Sequence, residues 1–504
     1  MSARLWLNRG RLLASVAAGG LLVFTAGAAL AQDAPVTTAH ADAPVDPREA
    51  KIEALESEVQ LLADQIADLK ASVSSGFTDV RKTAAAQPAV SFANGRPTLA
   101  TADGAFKVAL RTVAQFDAAD YSVHPLTTAN DLSSGTNFRR ARLGIDGTAF
   151  KDFNFAIWGD FGGSGGETPV LNQAYVEYAG WKPFGLKNPV RLRVGAWATP
   201  TGLEDATSNT DSEFLERGAS AELVRGLAGG DGRSGVGFFA NGDHWYASGT
   251  LTGAVVGIAA TPEFSEQTGY LARLAFNPLS GSDYDLHIGG NITGVISVAD
   301  TAAGPAVTQQ VRLRERPELR VDGTRLVDTG AINADSLTAY GAEAGASWKS
   351  LYIAGEYYWI DVNRTDGIGA GKFNPNFSGW YVQGSWALTG ERHPWNAANG
   401  GFRGIRPTHA FDPRKGTWGA WELAARYSVL DLNDNAGLAG AATPAGGVRG
   451  GVQKITTVGV NWYPNSVIRF LLDYQWDDIN RLSSTGVQIG ETVHALSFRS
   501  QFAF

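Results

Sequence analysis

The chain has 504 residues, a formal charge of −8, no cysteine, and 24 Phe, 14 Tyr and 14 Trp at a mean hydropathy of −0.11. The absence of cysteine excludes disulfides, metal–thiolate centres and thiol nucleophiles, and net acidity excludes nucleic-acid binding by bulk charge. Many aromatics without long apolar runs suit a membrane-spanning β-barrel, whose hydrophobicity is spread over alternate residues.

Residues 1–31 carry Arg4, Arg9 and Arg11 ahead of an Ala/Gly-rich apolar run from Leu12 to Leu30, and Ala29-Leu30-Ala31 fits a signal-peptidase site. An exported chain starting near Gln32 is expected, and losing three arginines takes its formal charge from −8 to −11; an uncleaved anchor helix is the alternative. Residues 32–50 are an Ala/Pro/Asp/Thr-rich spacer, expected to be disordered. Over 51–75, Ile52, Leu55, Val59, Leu62, Ile66, Leu69 and Val73 recur at 3-4-3-4 spacing. β-Branched residues at a and Leu at d predict a short parallel coiled coil and lean towards two strands; a lone amphipathic helix on another domain is the competing reading. Gly76 is expected to end the helix, with a linker over 76–104.

From 105 to 504 the pattern becomes alternation. Sixteen antiparallel strands are expected, at 106–117, 138–149, 152–161, 170–179, 190–197, 234–240, 244–252, 268–276, 284–293, 337–348, 350–361, 377–388, 418–430, 454–463, 466–477 and 491–504. A further alternating stretch, Arg312 to Val321, is excluded by parity, because both ends of a bacterial barrel lie in the periplasm. The short connections at Lys151-Asp152, Asn241–Asp243, Trp348–Ser350 and Pro464–Ser466 then become periplasmic turns. Segments 118–137, 198–233, 294–336 and 432–453 become long extracellular loops. Segment 389–417 falls on the periplasmic side, where its length predicts folding into the lumen. The last strand sets His494, Leu496, Phe498, Ser500, Phe502 and Phe504 on one face. Its aromatic ending resembles the C-terminal strand of bacterial outer-membrane barrels.

If bulky apolar residues face lipid, Arg111 turns inward on the first strand, Arg140 and Arg142 on the second, and Arg191 and Arg193 on the fifth. Later strands add Arg426, Arg469 and Arg499 against Glu422 and Asp473. In the 294–336 loop, alternation puts Arg312, Arg314 and Arg316 on one side of an extended segment. Guanidinium forks match phosphate and carboxylate oxygens, and a row of them passes an anion on without holding it long. Bracing the loop by ion pairs, with Glu315 and Glu318 interleaved, is the competing use. Loop 198–233 has a helix start near Thr207–Arg217; folded inward it narrows the pore. Its acids Asp211, Glu213 and Glu216 against Arg217, Arg225 and Arg233 leave the sign of that constriction open.

Taken in order, the signal segment, the heptads, Phe138-Arg-Arg-Ala-Arg-Leu143, Arg316-Pro-Glu-Leu-Arg320, Glu356-Tyr-Tyr358, Leu388-Thr-Gly-Glu391, Gly419-Ala-Trp-Glu-Leu-Ala-Ala-Arg-Tyr427 and the terminal Phe resemble the phosphate-selective porin O and P family over roughly 90–504. The resemblance implies a 16-stranded trimeric porin of the outer membrane with inward-folded loops and an arginine path for phosphate or polyphosphate. By motif, that path takes Arg140 and Arg142 from the second strand and Arg312, Arg314 and Arg316 from the loop.

No catalytic residue, metal site or cofactor is expected. The histidines at 40, 124, 244, 287, 393, 409 and 494 lack zinc-ligand spacing, and Gly162–Gly166 lies between strands with no helix to follow. Three functions follow. The first is a diffusion channel for small anions. The second is a general or carbohydrate porin, with Tyr352, Tyr358, Trp158 and Trp197 on lumen faces. The third is an envelope tether in which the barrel anchors the chain and 51–75, in the periplasm, contacts cell wall or a periplasmic partner. In each the barrel sits among outer-membrane lipids and is expected to be a homotrimer.

Overall fold

A computed structural model describes residues 47–86, 88–92, 95–124, 132–163, 170–256, 265–300, 309–367 and 372–504. The expected signal peptide and most of the spacer lie outside the described residues.

Helix α1 spans Pro47–Ala86, eleven residues beyond the expected end at 75. Gly76 does not stop it: a glycine in a helix interior costs about 1 kcal/mol relative to alanine but removes no hydrogen bond. Pro88 comes too late to interrupt the pattern before Ala86. The heptad residues from Ile52 to Val73 stand 48–66% exposed. The expected linker is in part structured. Ala89–Ser91 pairs with Thr98–Ala100, and Thr98–Ala100 pairs with Lys107–Ala109, taking the strand edge left where the last barrel strand ends.

The barrel consists of β1 (Lys107–His124), β2 (Gly135–Ala149), β3 (Phe153–Asp160), β4 (Val170–Trp181), β5 (Val190–Trp197), β6 (Arg233–Asn241), β7 (Trp245–Val255) and β8 (Thr268–Ser280). It continues through β9 (Tyr284–Ser297), β10 (Ile332–Trp348), β11 (Leu351–Arg364), β12 (Asn376–Ala387), β13 (Ala420–Asp434), β14 (Val448–Tyr463), β15 (Ile468–Asn480) and β16 (Thr492–Ala503). Each strand pairs antiparallel with the next. β16 closes on β1 in the register Gln501↔Gln115 and Ala503↔Val113, extended by reciprocal backbone bonds between Phe504 and Thr112 at 3.1 and 3.2 Å. All sixteen expected strands are present. The outer face carries aromatic residues towards both rims: Trp181, Trp348 and Trp386 on the periplasmic side, and Tyr340, Trp359, Tyr474 and Trp476 on the other, all exposed. Interfacial girdles of this kind flank the apolar band of membrane barrels.

Two expected loops are shorter than the alternation implied. β1 runs to His124 and β2 begins at Gly135, while β13 runs to Asp434 and β14 begins at Val448. Backbone pairing outlasts the apolar alternation there, because beyond the lipid both faces are polar. The excluded stretch Arg312–Val321 does lie outside the wall; Arg314–Glu315 pairs with Val327–Asp328 inside its own loop.

Residues 198–232, 309–331 and 388–419 fold into the lumen. Helix α2 (Leu203–Ala206) donates its first amides to Glu356 Oε1 and Oε2 on β11, at 2.6 and 3.0 Å. Helix α3 (Ala219–Ala228) buries Val224 and Leu227 with Val295, Ile360, Phe377 and Leu430 of the wall and Leu313 and Val327 of the second segment. Each such fully buried aliphatic side chain contributes about 1.5–3 kcal/mol. Glu318 accepts from Ser428 Oγ at 2.6 Å and pairs with Arg426, and Arg273 donates to the carbonyls of Asn399 and Gly400 at 2.7 Å.

Two charged contacts lock these segments to the wall. Glu216 meets Arg139 Nε and Arg499 Nη2, both at 2.8 Å, Arg140 Nη2 at 3.4 Å and Arg320 Nε at 3.8 Å. Burial alone would raise its carboxyl pKa; the four guanidiniums hold it well below the usual range. A shift in the β1–β2 register beside Gln115 and Phe116 turns both Arg139 and Arg140 inward, where strict alternation admits only Arg140. The second lock is His393, whose Nε2 lies 2.6 Å from Glu422 Oε1 and whose Nδ1 lies 3.1 Å from the Arg403 carbonyl and 3.5 Å from Glu213 Oε1. Its ring stacks on Tyr352 at 4.7 Å. Burial disfavours the imidazolium, yet Glu422 and Glu213 raise its pKa above the ordinary histidine value.

Replacing Glu216 with Ala leaves buried guanidiniums short of a counter-ion. It is expected to destabilise by about 3–5 kcal/mol, read as a lower midpoint in thermal unfolding of the purified protein. His393 stabilises its segment fully below the unfolded imidazole pKa, and that contribution is lost as pH rises through the higher folded value. Hydrogen exchange over 389–417, corrected for intrinsic rate, is therefore expected to accelerate as pH rises above the ordinary imidazole value of about 6.5, and His393→Gln is expected to remove that pH dependence.

Candidate anion vestibule

A cavity of about 1070 Å³ lies inside the barrel, bounded towards the periplasmic rim by Ser466, Ala503 and Phe504. Four chain regions supply its charge. The segment before the barrel contributes Arg96, and the wall contributes Arg111 and Arg142; segment 198–232 supplies Arg217 and Arg225, and segment 388–419 supplies Arg392, Arg403 and Arg406. The lining sets three carboxylates among these eight arginines, Asp205, Asp231 and Glu391, and Asp146, Asp160, Asp211, Glu222 and Asp285 also pair with them. Forked N–H donors converging on one cavity match the geometry of an oxyanion.

The arginines are held in different ways. Arg96 pairs with Asp146, and its Nε donates to the Leu110 carbonyl at 3.1 Å. Arg111 lies 4.5 Å over the Trp158 ring and 3.7 Å from Asp146. A stacked guanidinium keeps its edge N–H groups available for an oxyanion. Arg142 Nε donates to Asp160 at 2.6 Å and its Nη2 to Asp231 at 2.9 Å. Arg225 Nε and Arg217 Nη2 share Asp205 Oδ1 at 2.7 and 3.2 Å. Arg406 pairs with Asp211 at 2.8 Å yet stays half-exposed, and Arg403 Nη2 donates to Asn396 at 3.0 Å. Burial opposes ionisation of Glu222 and Asp231; neighbouring arginines bring Glu222 down to about 2 and hold Asp231 well below the carboxylate range. Both stay ionised throughout the physiological range.

Of the eight arginines expected from sequence to line the pore, the cavity wall includes Arg111 and Arg142. Arg140 is 3% exposed, bonded to Gln115 Oε1 at 2.7 Å and to Glu216. Arg191 donates to the Ala398 carbonyl at 2.9 Å. Arg193 pairs with Glu177 at 2.6 Å and lies 3.9 Å over Tyr175. Arg312, Arg314 and Arg316 do not form one row. Arg312 and Arg314 are exposed, and Arg312 pairs with Asp328. Arg316 turns inward, because the strand pairing stops at Glu315 and the chain bends at Pro317.

Arg96, Arg392, Arg403 and Arg406 were not expected. Their signal was present in the length of 389–417 and in one arginine within the linker, neither of which shows alternation. Asn172 also lines the cavity with its amide buried and without a hydrogen-bond partner among the described residues.

Comparison with known proteins agrees with this architecture. Residues 106–504 match the model of the phosphate-selective porin O and P family. The chain is 26% identical over 400 residues to an uncharacterised protein of Caulobacter vibrioides, covering 76% of this chain and 71% of that one. It is 25% identical over 373 residues to Porin O of Pseudomonas aeruginosa, covering 71% and 80%. Among solved structures, OmpT, an outer membrane protein of Vibrio cholerae, is similar with a TM-score of 0.46 at 11% identity, over 79% of this chain and 98% of that one. With a family match across the whole barrel, the chain belongs to the phosphate-selective porin O and P family and is a porin channel of the outer membrane.

Proposed function

We propose that the channel passes small anions of the phosphate and polyphosphate class, with the arginine vestibule as its selective region. The observation that carries this reading is the convergence of eight arginines from four chain regions on one cavity. Guanidiniums replace the hydration shell of an oxyanion with forked N–H donors. Because they come from the wall and from two inward segments, a solute is handed from one to the next rather than bound once. Arg111 and Arg142 act at the wall, Arg403 and Arg406 on the inserted segment, and Arg312 and Arg314 at the extracellular mouth raise the local anion concentration. Arg140 and Arg191 hold the lumen filling in place, Arg193 braces neighbouring wall strands through Glu177, and Arg316 is buried within the filling.

The carbohydrate reading loses its surface. Tyr352, Tyr358 and Trp197 are 4%, 1% and 1% exposed, which leaves Trp158, already covered by Arg111. Helix α1 with its exposed a/d row supports a coiled coil joining the protomers of a homotrimer in the periplasm, where 51–75 is also available to cell wall. That role is compatible with conduction and does not replace it.

Reversal potentials across bilayers in a salt gradient test the reading: the wild-type channel is expected to prefer anions and to be blocked by inorganic phosphate. Replacing Arg403 and Arg406 together with Ala is expected to weaken phosphate block by about tenfold, one guanidinium contact being worth roughly 1–2 kcal/mol here. Replacing Arg312 and Arg314 is expected to slow capture at low salt and leave block at high salt unchanged, since exposed charges are screened beyond about 10 Å at 0.1 M. A channel that prefers cations, or one blocked by neutral sugars and not by phosphate, overturns it.

A further inference from the structure

Asp231 is the one carboxylate of the vestibule held between the wall and α3. Its Oδ2 accepts from Arg142 Nη2 at 2.9 Å, and its Oδ1 accepts from Arg225 Nη2. Each oxygen thus sits on one guanidinium, as two oxygens of a bound phosphate would. Asp205, by contrast, is tied into the backbone: its Oδ2 accepts the Thr201 amide at 3.1 Å, and its side chain is 6% exposed. The Asp231 side chain is 31% exposed, accepts from no group other than these two arginines among the described residues, and borders the cavity. It also stands in Gly229-Gly-Asp-Gly232, where Gly230 and Gly232 have φ of 93° and 65°. Its backbone is pinned, Gly232 N–H donating to the Asn172 carbonyl at 3.0 Å and the Gly232 carbonyl accepting from Val256 N–H at 2.8 Å, so it is the side chain that moves.

We propose that Asp231 is a tethered competitor: it occupies the Arg142–Arg225 pair in the empty channel, is displaced by an arriving oxyanion, and returns as that anion leaves. This rests on the vestibule being the anion path and adds what limits affinity there. Two guanidiniums in an enclosed wall would otherwise retain an anion, and conduction needs binding that is readily undone. Arg142 keeps Asp160 and Arg225 keeps Asp205 throughout, so the exchange swaps one acceptor on each guanidinium for an oxygen of the solute. It also makes the site self-limiting, since the competitor is always present at high effective concentration.

The test compares wild type with Asp231→Asn and Asp231→Glu, measuring phosphate half-saturation of conductance and anion-over-cation selectivity in planar bilayers. Asp231→Asn is expected to bind inorganic phosphate about tenfold more tightly and to conduct less at saturating phosphate, because release becomes slow. Asp231→Glu keeps the competitor and is expected to stay near wild type. Asp231→Ser serves in place of Asn if the amide variant fails to assemble, with the same expected direction. If Asp231 merely braced Arg142 and Arg225, its removal would weaken phosphate binding or leave it unchanged; either result in an anion-selective wild-type channel overturns this inference alone. A wild-type channel without anion preference overturns the vestibule reading and this inference with it.

Discussion

Everything in this molecule follows from the requirement that a backbone in lipid satisfy its own hydrogen bonds. Sixteen strands meet it by closing β16 on β1, with Phe504 and Thr112 exchanging backbone bonds at the seam. Closure fixes the alternation of faces, because a strand with no free edge cannot slip by one residue without turning its lipid face inward. It also fixes sidedness: with both ends of the barrel on one side, each long excursion is assigned to a rim. Residues 309–331 come from the outside rim, and 388–419 rise from the periplasm to meet them.

Once closed, a barrel this wide has an interior that water or protein must fill. Three segments fill much of it, and they do so with two chemistries. Around α3 the filling is apolar, as in a soluble core. Elsewhere it is ionic, and there the accounting is severe. A buried guanidinium without a carboxylate is costly, so Arg140, Arg426 and Arg499 are each matched to acids of the inward segments. These arginines are structural even though they point into the lumen. The number of lumen arginines therefore says little about selectivity. What counts is which guanidiniums keep an edge on open space, and those surround the vestibule.

This division explains what could be read in the sequence. Strand number, strand order and the inward fate of 389–417 were legible, since lipid on one side imposes a period-two pattern and parity does the rest. Strand ends at the extracellular rim were not: above the membrane both faces of β1 and β13 are wetted, and pairing continues without a pattern. Arg139 was missed because the β1–β2 irregularity breaks the alternation that identified Arg140. Arg312, Arg314 and Arg316 were read as one row, but the short pairing of Arg314–Glu315 with Val327–Asp328 ends before Arg316. The vestibule itself was the least legible feature. Arg96, Arg217 and Arg403 lie far apart in the chain and in segments without periodicity, so only the folded lumen brings them together.

The mode of assembly bears on how the channel works. A site built wholly on barrel strands would be as rigid as the wall, and a rigid ring of guanidiniums binds anions tightly and releases them slowly. Here half or more of the vestibule arginines ride on segments held by side-chain contacts: Arg217 and Arg225 by Asp205, and Arg392 by Asp285. Such contacts open more readily than a continuous ladder of backbone bonds. The wall supplies fixed partners in Arg111 and Arg142, and the inward segments supply partners that can yield. A solute crossing between them meets strong donors without a fixed cage, so contact with the guanidiniums and release from them are both open to it.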